Sequence, residues 1–438
     1  MDVDDNRSMW ATTAGPWIPG PPLRGEVTAD VAIIGAGFTG MSTALHLRRL
    51  RPDLGIVVLE AKSVGNGASG RSGGMVLNWI NGLDTHDEAL TRQVWDCTKG
   101  GIDHLEQTIA DEGLDVPFRR DGCLETFTSA ARAEEAHRKV ERLNGWGIPL
   151  RFLQGAELRS LLRAEGVVGA ILDPTAGQVH GLRLVRELAR VLRGRGVDIY
   201  EDSPVTAIEE GATHVLHTPE GIVRAGAMVL ATNGYTPRLG YFKSGLFPLH
   251  SHVIATAPRA PAEWEALGWG PGLAGASDDL DRISYGSMTP DGRLLFGGGS
   301  NRSYAYVYGD RTTFPRDTAP GFQAVHDVLR RYLPGAADVP IADRWVGTLG
   351  ITMDRQLTVG VMGAHGNVYY GLGYSGHGVV LANVAGRVIA DLYAGEGHRW
   401  EGQPFLNKRL LPIPPEPLRW VGYHLFTTLT GKSPRRVS

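Results

Sequence analysis

The chain has 438 residues, 42% of them apolar and 21% charged, ordinary proportions for a soluble globular protein of about two or three domains. A formal charge of −3, with no block of Lys or Arg in the body, excludes the basic footprint of a nucleic-acid binder. Cys97 and Cys123 stand in no CxxC or metal-ligand spacing, which excludes a disulfide scaffold and a cysteine metal centre.

The same facts set expectations of compartment. Two cysteines suit a reducing cytoplasm, and the acidic start M-D-V-D-D-N-R lacks the apolar run of a signal peptide. No apolar stretch reaches the ~20 residues that span a bilayer. A soluble, cytoplasmic protein is expected.

In chain order, residues 1–24 hold Trp10, Trp17 and the run G-P-W-I-P-G-P-P, a composition hostile to helix or central strand. An extended arm docked through its tryptophans is expected. Next comes D-V-A-I-I-G-A-G-F-T-G, Asp30 to Gly40. Val31 to Ile34 is the β-branched run of a buried parallel strand. Gly35 permits a tight turn, Gly37 lets the backbone approach a pyrophosphate, and Gly40 lets a helix over 38–50 pack on the strand. The N-terminus of that helix offers N–H groups and a positive dipole end to phosphate. A second strand, 56–59, ends at Glu60, 20 residues beyond Gly40. There a carboxylate accepts hydrogen bonds from ribose hydroxyls and repels a ribose phosphate. The glycines alone would be a weak signal; with strand, helix, strand and acid they predict a dinucleotide site.

Residues 61–75, A-K-S-V-G-N-G-A-S-G-R-S-G-G-M, are too rich in glycine for helix or strand and suit a loop lying against a flat ligand. Apolar spacing predicts outer helices over 88–112 and 132–145 and another over 181–194. Short strands follow at 197–200 and 204–209, then an apolar run, 224–230, ending in A-T-N-G-Y. From 246 to 296 strands alternate with Pro/Gly turns, and the D-G pair Asp291-Gly292 signals a hairpin. A helix is predicted over 322–333. A strand at 368–372, the turn G-Y-S-G-H-G at 373–378 and an apolar helix over 378–393 return the chain to the nucleotide sheet. There is no internal repeat.

These segments together resemble the FAD-dependent D-amino acid oxidase/glycine oxidase superfamily, in its γ-glutamylputrescine oxidoreductase-like branch related to sarcosine oxidases. The resemblance is carried by A-D-V-A-I-I-G-A-G-F-T-G, V-V-L-E-A, G-A-S-G-R-S-G-G, D-S-P-V-T-A-I-E, V-L-A-T-N-G-Y, W-V-G-T-L-G-I-T-M-D and G-L-G-Y-S-G-H-G-V, in family order over residues 25–400. The first motif is common to all two-dinucleotide-binding flavoproteins; the G-A-S-G-R-S-G-G and G-Y-S-G-H-G pair is far more specific. The implied fold is α/β. A discontinuous FAD-binding Rossmann-like domain takes residues 25–85, 160–240 and 345–400, and a mixed, mostly antiparallel β-sheet substrate domain with helices takes 86–159 and 241–344. Residues 401–438 form a tail.

The resemblance also implies site residues. Gly35, Ala36, Gly37, Phe38, Thr39 and Gly40 would surround the FAD pyrophosphate, with Ala231, Thr232 and Asn233 passing by it. Glu60 would hold the adenosine ribose, with Ala61, Lys62 and Val205 beside the adenine. Gly67, Ala68, Ser69, Gly70, Arg71, Ser72, Gly73, Gly74 and Met75 would wrap the ribityl chain and flavin edge. Gly376, His377 and Gly378 would reach the pyrimidine ring, with Gly350, Gly373, Tyr374 and Ser375 completing the set. A helix N-terminus there would meet the negative charge of a reduced flavin with N–H donors. The stretch 347–354 lacks the cysteine that tethers FAD in sarcosine-oxidase relatives, and 68–74 lacks the histidine of dimethylglycine dehydrogenase-like relatives. Non-covalent FAD is therefore expected.

The implied chemistry removes hydride from a C–H beside an amine nitrogen, leaving an imine that water hydrolyses. His377 and Arg71 are the catalytic candidates at the flavin, and Arg344 is the candidate partner of a substrate carboxylate. Asn78, Trp79, His250, His252 and Tyr285 are substrate candidates; no metal is expected. The run D-G-R-L-L-F-G-G offers Arg293 where some oxidases place an oxygen-facing Lys, which leaves oxidase and dehydrogenase both open. O2 with H2O2 release is the expected acceptor. The alternatives are a dehydrogenase using a quinone or other acceptor, and a flavin-binding subunit without turnover of its own. In the tail, Leu418, Val421, Leu425 and Leu429 share a helical face, with Lys432, Arg435 and Arg436 beyond. A helix docked on the body is expected, a membrane-surface or partner-docking helix being the alternative.

Overall fold

The computed structural model describes residues 7–83, 86–280, 282–313 and 319–430. Five parallel strands make the centre of the first sheet, in the order Asp198–Tyr200, Ile56–Leu59, Gly25–Ile34, Gly221–Leu230 and Val368–Leu372. Val31 to Ile34 and the whole of Ile56–Leu59 are buried, as apolar runs must be when both sheet faces are covered. Helices Phe38–Leu50, Gly181–Gly194 and Gly378–Tyr393 share one core with one face of this sheet. The other face, including Ala32, Val57 and Met228, packs with Leu216, Leu246 and Leu23. Thr358–Met362 extends the sheet antiparallel to Val368–Leu372, and His214–His217 pairs antiparallel with the start of Gly221–Leu230.

The second sheet has nine strands and is antiparallel except between Gly275–Asp278 and Cys123–Phe127. Its axis is Phe247–Thr256, hydrogen-bonded to Ile341–Ile351, Leu294–Gly298 and Tyr304–Ala305. The expected hairpin joins Ser284–Met288 to Leu294–Gly298, with Gly292 at φ +78° in the turn. Trp264, Trp269, Phe296, Val325 and Leu329 form the core beneath helix Ala319–Tyr332.

Three boundaries differ from expectation. Gly169–Asp173, within the 160–240 segment assigned to the nucleotide domain, pairs in the second sheet with Cys123–Phe127 and Arg151–Leu153. Ile341–Ile351, which straddles the expected start of the last nucleotide segment, is also a second-sheet strand. Met75–Val76 joins Gly177–Val179 and Phe118–Arg119 in a third, three-stranded sheet. Such short strands take their partners from tertiary packing rather than from their own sequence.

The N-terminal arm is not wholly extended. Met9–Thr13 is helical, because the first proline is Pro16 and nothing before it forbids a turn of helix. Trp10 is 1% exposed and its indole Nε1 donates to the Ser72 carbonyl at 2.7 Å, while Ser8 Oγ donates to Gly70 O at 2.6 Å. The arm therefore ties down the glycine loop from behind. Trp10→Ala is expected to cost about 3–5 kcal/mol by cavity formation, measured by denaturant unfolding.

The terminal helix, Leu418–Thr430, does dock on the body, but not through the leucine face. Arg419 Nη1 donates to Asp310 Oδ1 at 2.5 Å and Asn301 Nδ2 to Thr427 O at 2.6 Å, while Leu418, Val421, Leu425 and Leu429 stay exposed. Lys432, Arg435 and Arg436 lie outside the described residues.

Candidate active site

A cavity of about 950 Å³ begins at the carboxyl ends of the parallel strands, where open α/β sheets bind their ligands, and runs to the facing side of the second sheet. Ile34-Gly35, Leu59-Glu60 and Ala231 line its first end. Gly35 sits at φ +104°, a region closed to most side chains, and its N–H donates to Leu59 O at 2.8 Å. A Cβ on Gly40 would lie 1.9 Å from Gly35 O, so only glycine lets the helix start this close to the turn. Glu60 is 8% exposed; Oε2 accepts from Ala36 N at 2.9 Å and Oε1 from Lys62 N at 3.1 Å.

Burial pushes the Glu60 carboxyl up from about 4.5 to about 7, against the opposing pull of those backbone N–H groups. Its pKa is thus higher folded than unfolded. The stabilising contribution is complete below about pH 4.5 and is lost as the pH rises through about 7. Ligand-free protein is expected to lose up to about 3 kcal/mol over that window, and Glu60→Gln to remove the dependence, measured by urea unfolding at each pH.

At the middle of the cavity the loop after Glu60 folds back on the first turn. Ser69 Oγ accepts from Phe38 N at 2.9 Å, and Trp345 Nε1 donates to Arg71 O at 2.9 Å. The Arg71 side chain is 4% exposed, reaches Asn66 Oδ1 at 3.3 Å and faces the cavity. The turn after Val368–Leu372 closes the wall. Ser375 at φ +46° donates its N–H to Gly350 O at 3.1 Å, and Tyr374 OH meets Thr39 Oγ1 at 2.7 Å. This bond pins the turn to the first helix and leaves His377 and the N-terminus of Gly378–Tyr393 at the cavity.

Of the expected cofactor residues, Gly35, Gly37, Phe38, Thr39, Glu60, Ala61, Gly67, Ala68, Ser69, Arg71, Ser72, Gly73, Gly74, Met75, Val205, Ala231, Thr232, Asn233, Tyr374, Ser375, Gly376, His377 and Gly378 line this one cavity. Six support it from behind. Ala36 donates to Glu60, Gly40 packs under Gly35, and Gly70 N bonds Gly65 O. Gly350 receives Ser375, Gly373 N donates to Asn233 Oδ1 at 3.0 Å, and the exposed Lys62 receives Asp202 N through its carbonyl.

The substrate candidates fare differently. Tyr285 lines the cavity, its hydroxyl 3.1 Å from Ser251 Oγ, and burial pushes its phenol up to about 12. His250 and His252 do not: strand residues alternate, and Phe247, Leu249, Ser251 and Val253 take the cavity side. His250 Nε2 bonds Arg311 O at 2.9 Å and His252 Nδ1 bonds Ser303 O at 3.0 Å on the far side. Asn78 is buried with Thr175 and Thr98, and Trp79 packs beside Trp95. Arg344 is exposed, outside the cavity, on the strand position opposite Ile254. Arg293 pairs with Asp291 and Asp343 instead of facing the cavity.

A different arginine occupies the pocket. Arg282 is 8% exposed, lines the cavity, and is held by Asn301 Oδ1 at 2.8 Å from its Nε. Its guanidinium carbon stands 6.0 Å from the ring centres of both Tyr423 and Phe426 of the terminal helix. Among the described residues no carboxylate lies within ion-pair distance of it. Arg282 precedes its strand in a loop, where no periodicity marks it. Tyr304, Tyr306 and the terminal helix complete this end.

The residues present fit a long, flat dinucleotide. A wall free of Cβ atoms at Gly35, Gly37 and Gly73, a carboxylate at one end and helix N-termini at two points are the donors and clearances that such a group needs. This fold and cavity are those of a dinucleotide-binding oxidoreductase. The profile of the family described as FAD dependent oxidoreductase matches residues 30–392, and the chain belongs to that family, with FAD as cofactor. It is 31% identical over 430 residues to gamma-glutamylputrescine oxidoreductase of Escherichia coli (strain K12), covering 94% of this chain and 96% of that protein. It is 25% identical over 391 residues to glycine oxidase of Geobacillus kaustophilus (strain HTA426), covering 86% and 96%. The crystal structure of glycine oxidase from Geobacillus kaustophilus matches the fold with a TM-score of 0.74 at 22% identity, over 88% of this chain and 100% of that one. Among the described residues no helix is long and apolar enough to cross a membrane, and no group of His, Cys, Asp and Glu could hold a metal ion.

Proposed function

We propose that the protein oxidises the C–N bond of a small amine or amino acid to an imine, using non-covalently held FAD. The observation that carries this reading is the far end of the cavity, where apolar walls surround the phenols of Tyr285, Tyr304 and Tyr306 and the buried guanidinium of Arg282. The relatives named above are called after gamma-glutamylputrescine and glycine, both of which carry an amine beside a C–H bond.

In this reading Gly35, Gly37 and the first turn of Phe38–Leu50 hold the pyrophosphate, Glu60 the adenosine ribose, and Arg71, His377 and the N-terminus of Gly378–Tyr393 the flavin end. Bound FAD would supply the two-electron oxidation, with O2 as the acceptor and H2O2 as its product. Arg282, anchored by Asn301 and flanked by two rings, pairs the anionic end of the substrate. Phe247, Leu249, Val253 and Tyr304 shed water from the amine, and desolvation favours its neutral form. The amine's proton leaves to solvent, and the nitrogen lone pair that an imine requires is free. Tyr285 stays protonated at neutral pH and, with Ser251, orients the nitrogen by hydrogen bonding. Cys97 and Cys123 are both outside the cavity lining, which supports non-covalent binding. Acid precipitation is expected to leave the yellow colour in the supernatant; colour in the pellet would contradict it.

A second reading, an acceptor other than O2, is favoured by the exposed apolar face that the terminal helix carries beside the cavity. H2O2 formed per substrate consumed separates the two: about one supports O2, and a value near zero with turnover on an added quinone supports the second.

A further inference from the structure

We infer that the terminal helix Leu418–Thr430 seats the protein on an anionic lipid bilayer. The helix has two unlike faces. The inward face is tied to the body through Arg419 to Asp310, Thr427 O to Asn301 and the Arg282 guanidinium over Tyr423, so the helix is a fixed wall of the cavity. The outward face presents Val421, Leu425 and Leu429, exposed by 51%, 58% and 77%, in one stripe at helical spacing that runs on to Leu418, 63% exposed at the cavity lining. Trp420 and Leu411 are exposed as well, and with Phe426 this one region holds seven of the twelve exposed large apolar side chains among the described residues. A patch so concentrated marks a contact surface rather than the scattered apolar exposure of an ordinary monomer.

Charge chooses the occupant. Arg419 is neutralised by Asp310 on the inward face, but the sequence after the helix adds Lys432, Arg435 and Arg436, and residues 417–438 contain no Asp or Glu, in a chain whose net charge is −3. An apolar stripe followed in sequence by a basic run matches the acyl boundary and phosphate layer of an anionic membrane. Seating on lipid would place a wall of the substrate cavity at the membrane surface.

The test is flotation of the full-length, FAD-loaded protein with phosphatidylglycerol/phosphatidylcholine vesicles and with phosphatidylcholine alone. Flotation with the anionic vesicles, weakened by salt and absent with phosphatidylcholine alone, is expected. Leu425→Asp with Leu429→Asp should cut the floated fraction about tenfold, and K432Q/R435Q/R436Q should also lower it and abolish the salt dependence. Leu425 and Leu429 lie outside the cavity lining, so retained FAD absorption certifies the fold of the double variant. Wild-type protein that stays unbound at low salt would overturn the inference. So would a double variant that floats as well as wild type, or a solution dimer that Leu425→Asp dissociates while vesicles fail to bind.

Discussion

Gly37→Val is expected to give folded protein that purifies without FAD, its affinity lowered at least about 100-fold. A Cβ on Gly37 would lie 2.8 Å from Ser69 Oγ and 3.8 Å from Ser69 Cβ, the contacts it would make within the described chain. That hydroxyl is the end of a side chain and can turn aside at the cost of its bond from Phe38 N, so the fold survives. The added branches instead project from the cavity wall where the pyrophosphate must touch backbone. Gly40→Ala makes the contrast. Its Cβ would stand 1.9 Å from Gly35 O, a backbone atom that cannot turn aside, so the helix must move off the strand and stability falls along with FAD binding. FAD fluorescence quenching on titration of each ligand-free variant, with circular dichroism to report the fold, tells the two apart.

Arg282→Met is expected to lower kcat/KM for amines that carry a carboxylate by about 10- to 150-fold, from the ~1.5–3 kcal/mol of hydrogen bonds to a charged group. The loss should fall on KM, because Arg282 pairs a part of the substrate that does not react. A comparable amine without the carboxylate should lose little. Methionine keeps most of the side-chain volume beneath Tyr423 and Phe426, so packing is preserved. Arg344→Met is the control: that side chain is exposed and outside the cavity, and its removal should leave both constants unchanged.

Much of the nucleotide half is legible in the chain because its signals are local. An apolar run, glycines at fixed offsets and Glu60 at a strand end each encode their own geometry. The separate segments around Gly35, Ser69, Asn233 and Gly376 do converge on one cavity. The substrate half is less legible for physical reasons that differ by residue. His250 and His252 share a parity that points away from the cavity, and the apolar residues on either side of the pair, Leu249 and Val253, mark the other face; strand alternation contained that information. Arg282 is positioned by a loop and by a bond to Asn301, a contact no spacing encodes. The terminal helix shows the opposite trap. Its leucine stripe is the face that periodicity assigns to the core, yet the polar and aromatic face, through Arg419 and Tyr423, is the one that docks.

The central claim is that an amine held between the FAD site and Arg282 is the group oxidised. Anaerobic mixing of the FAD-loaded protein with a panel of small amines, amino acids and matching alcohols tests it most directly, with the visible absorption of FAD as the readout. At least one carboxylate-bearing amine should bleach FAD stoichiometrically, more slowly at equal concentration in Arg282→Met, and the alcohol analogues should not. Bleaching by the alcohols, or FAD that no amine reduces, would contradict the account.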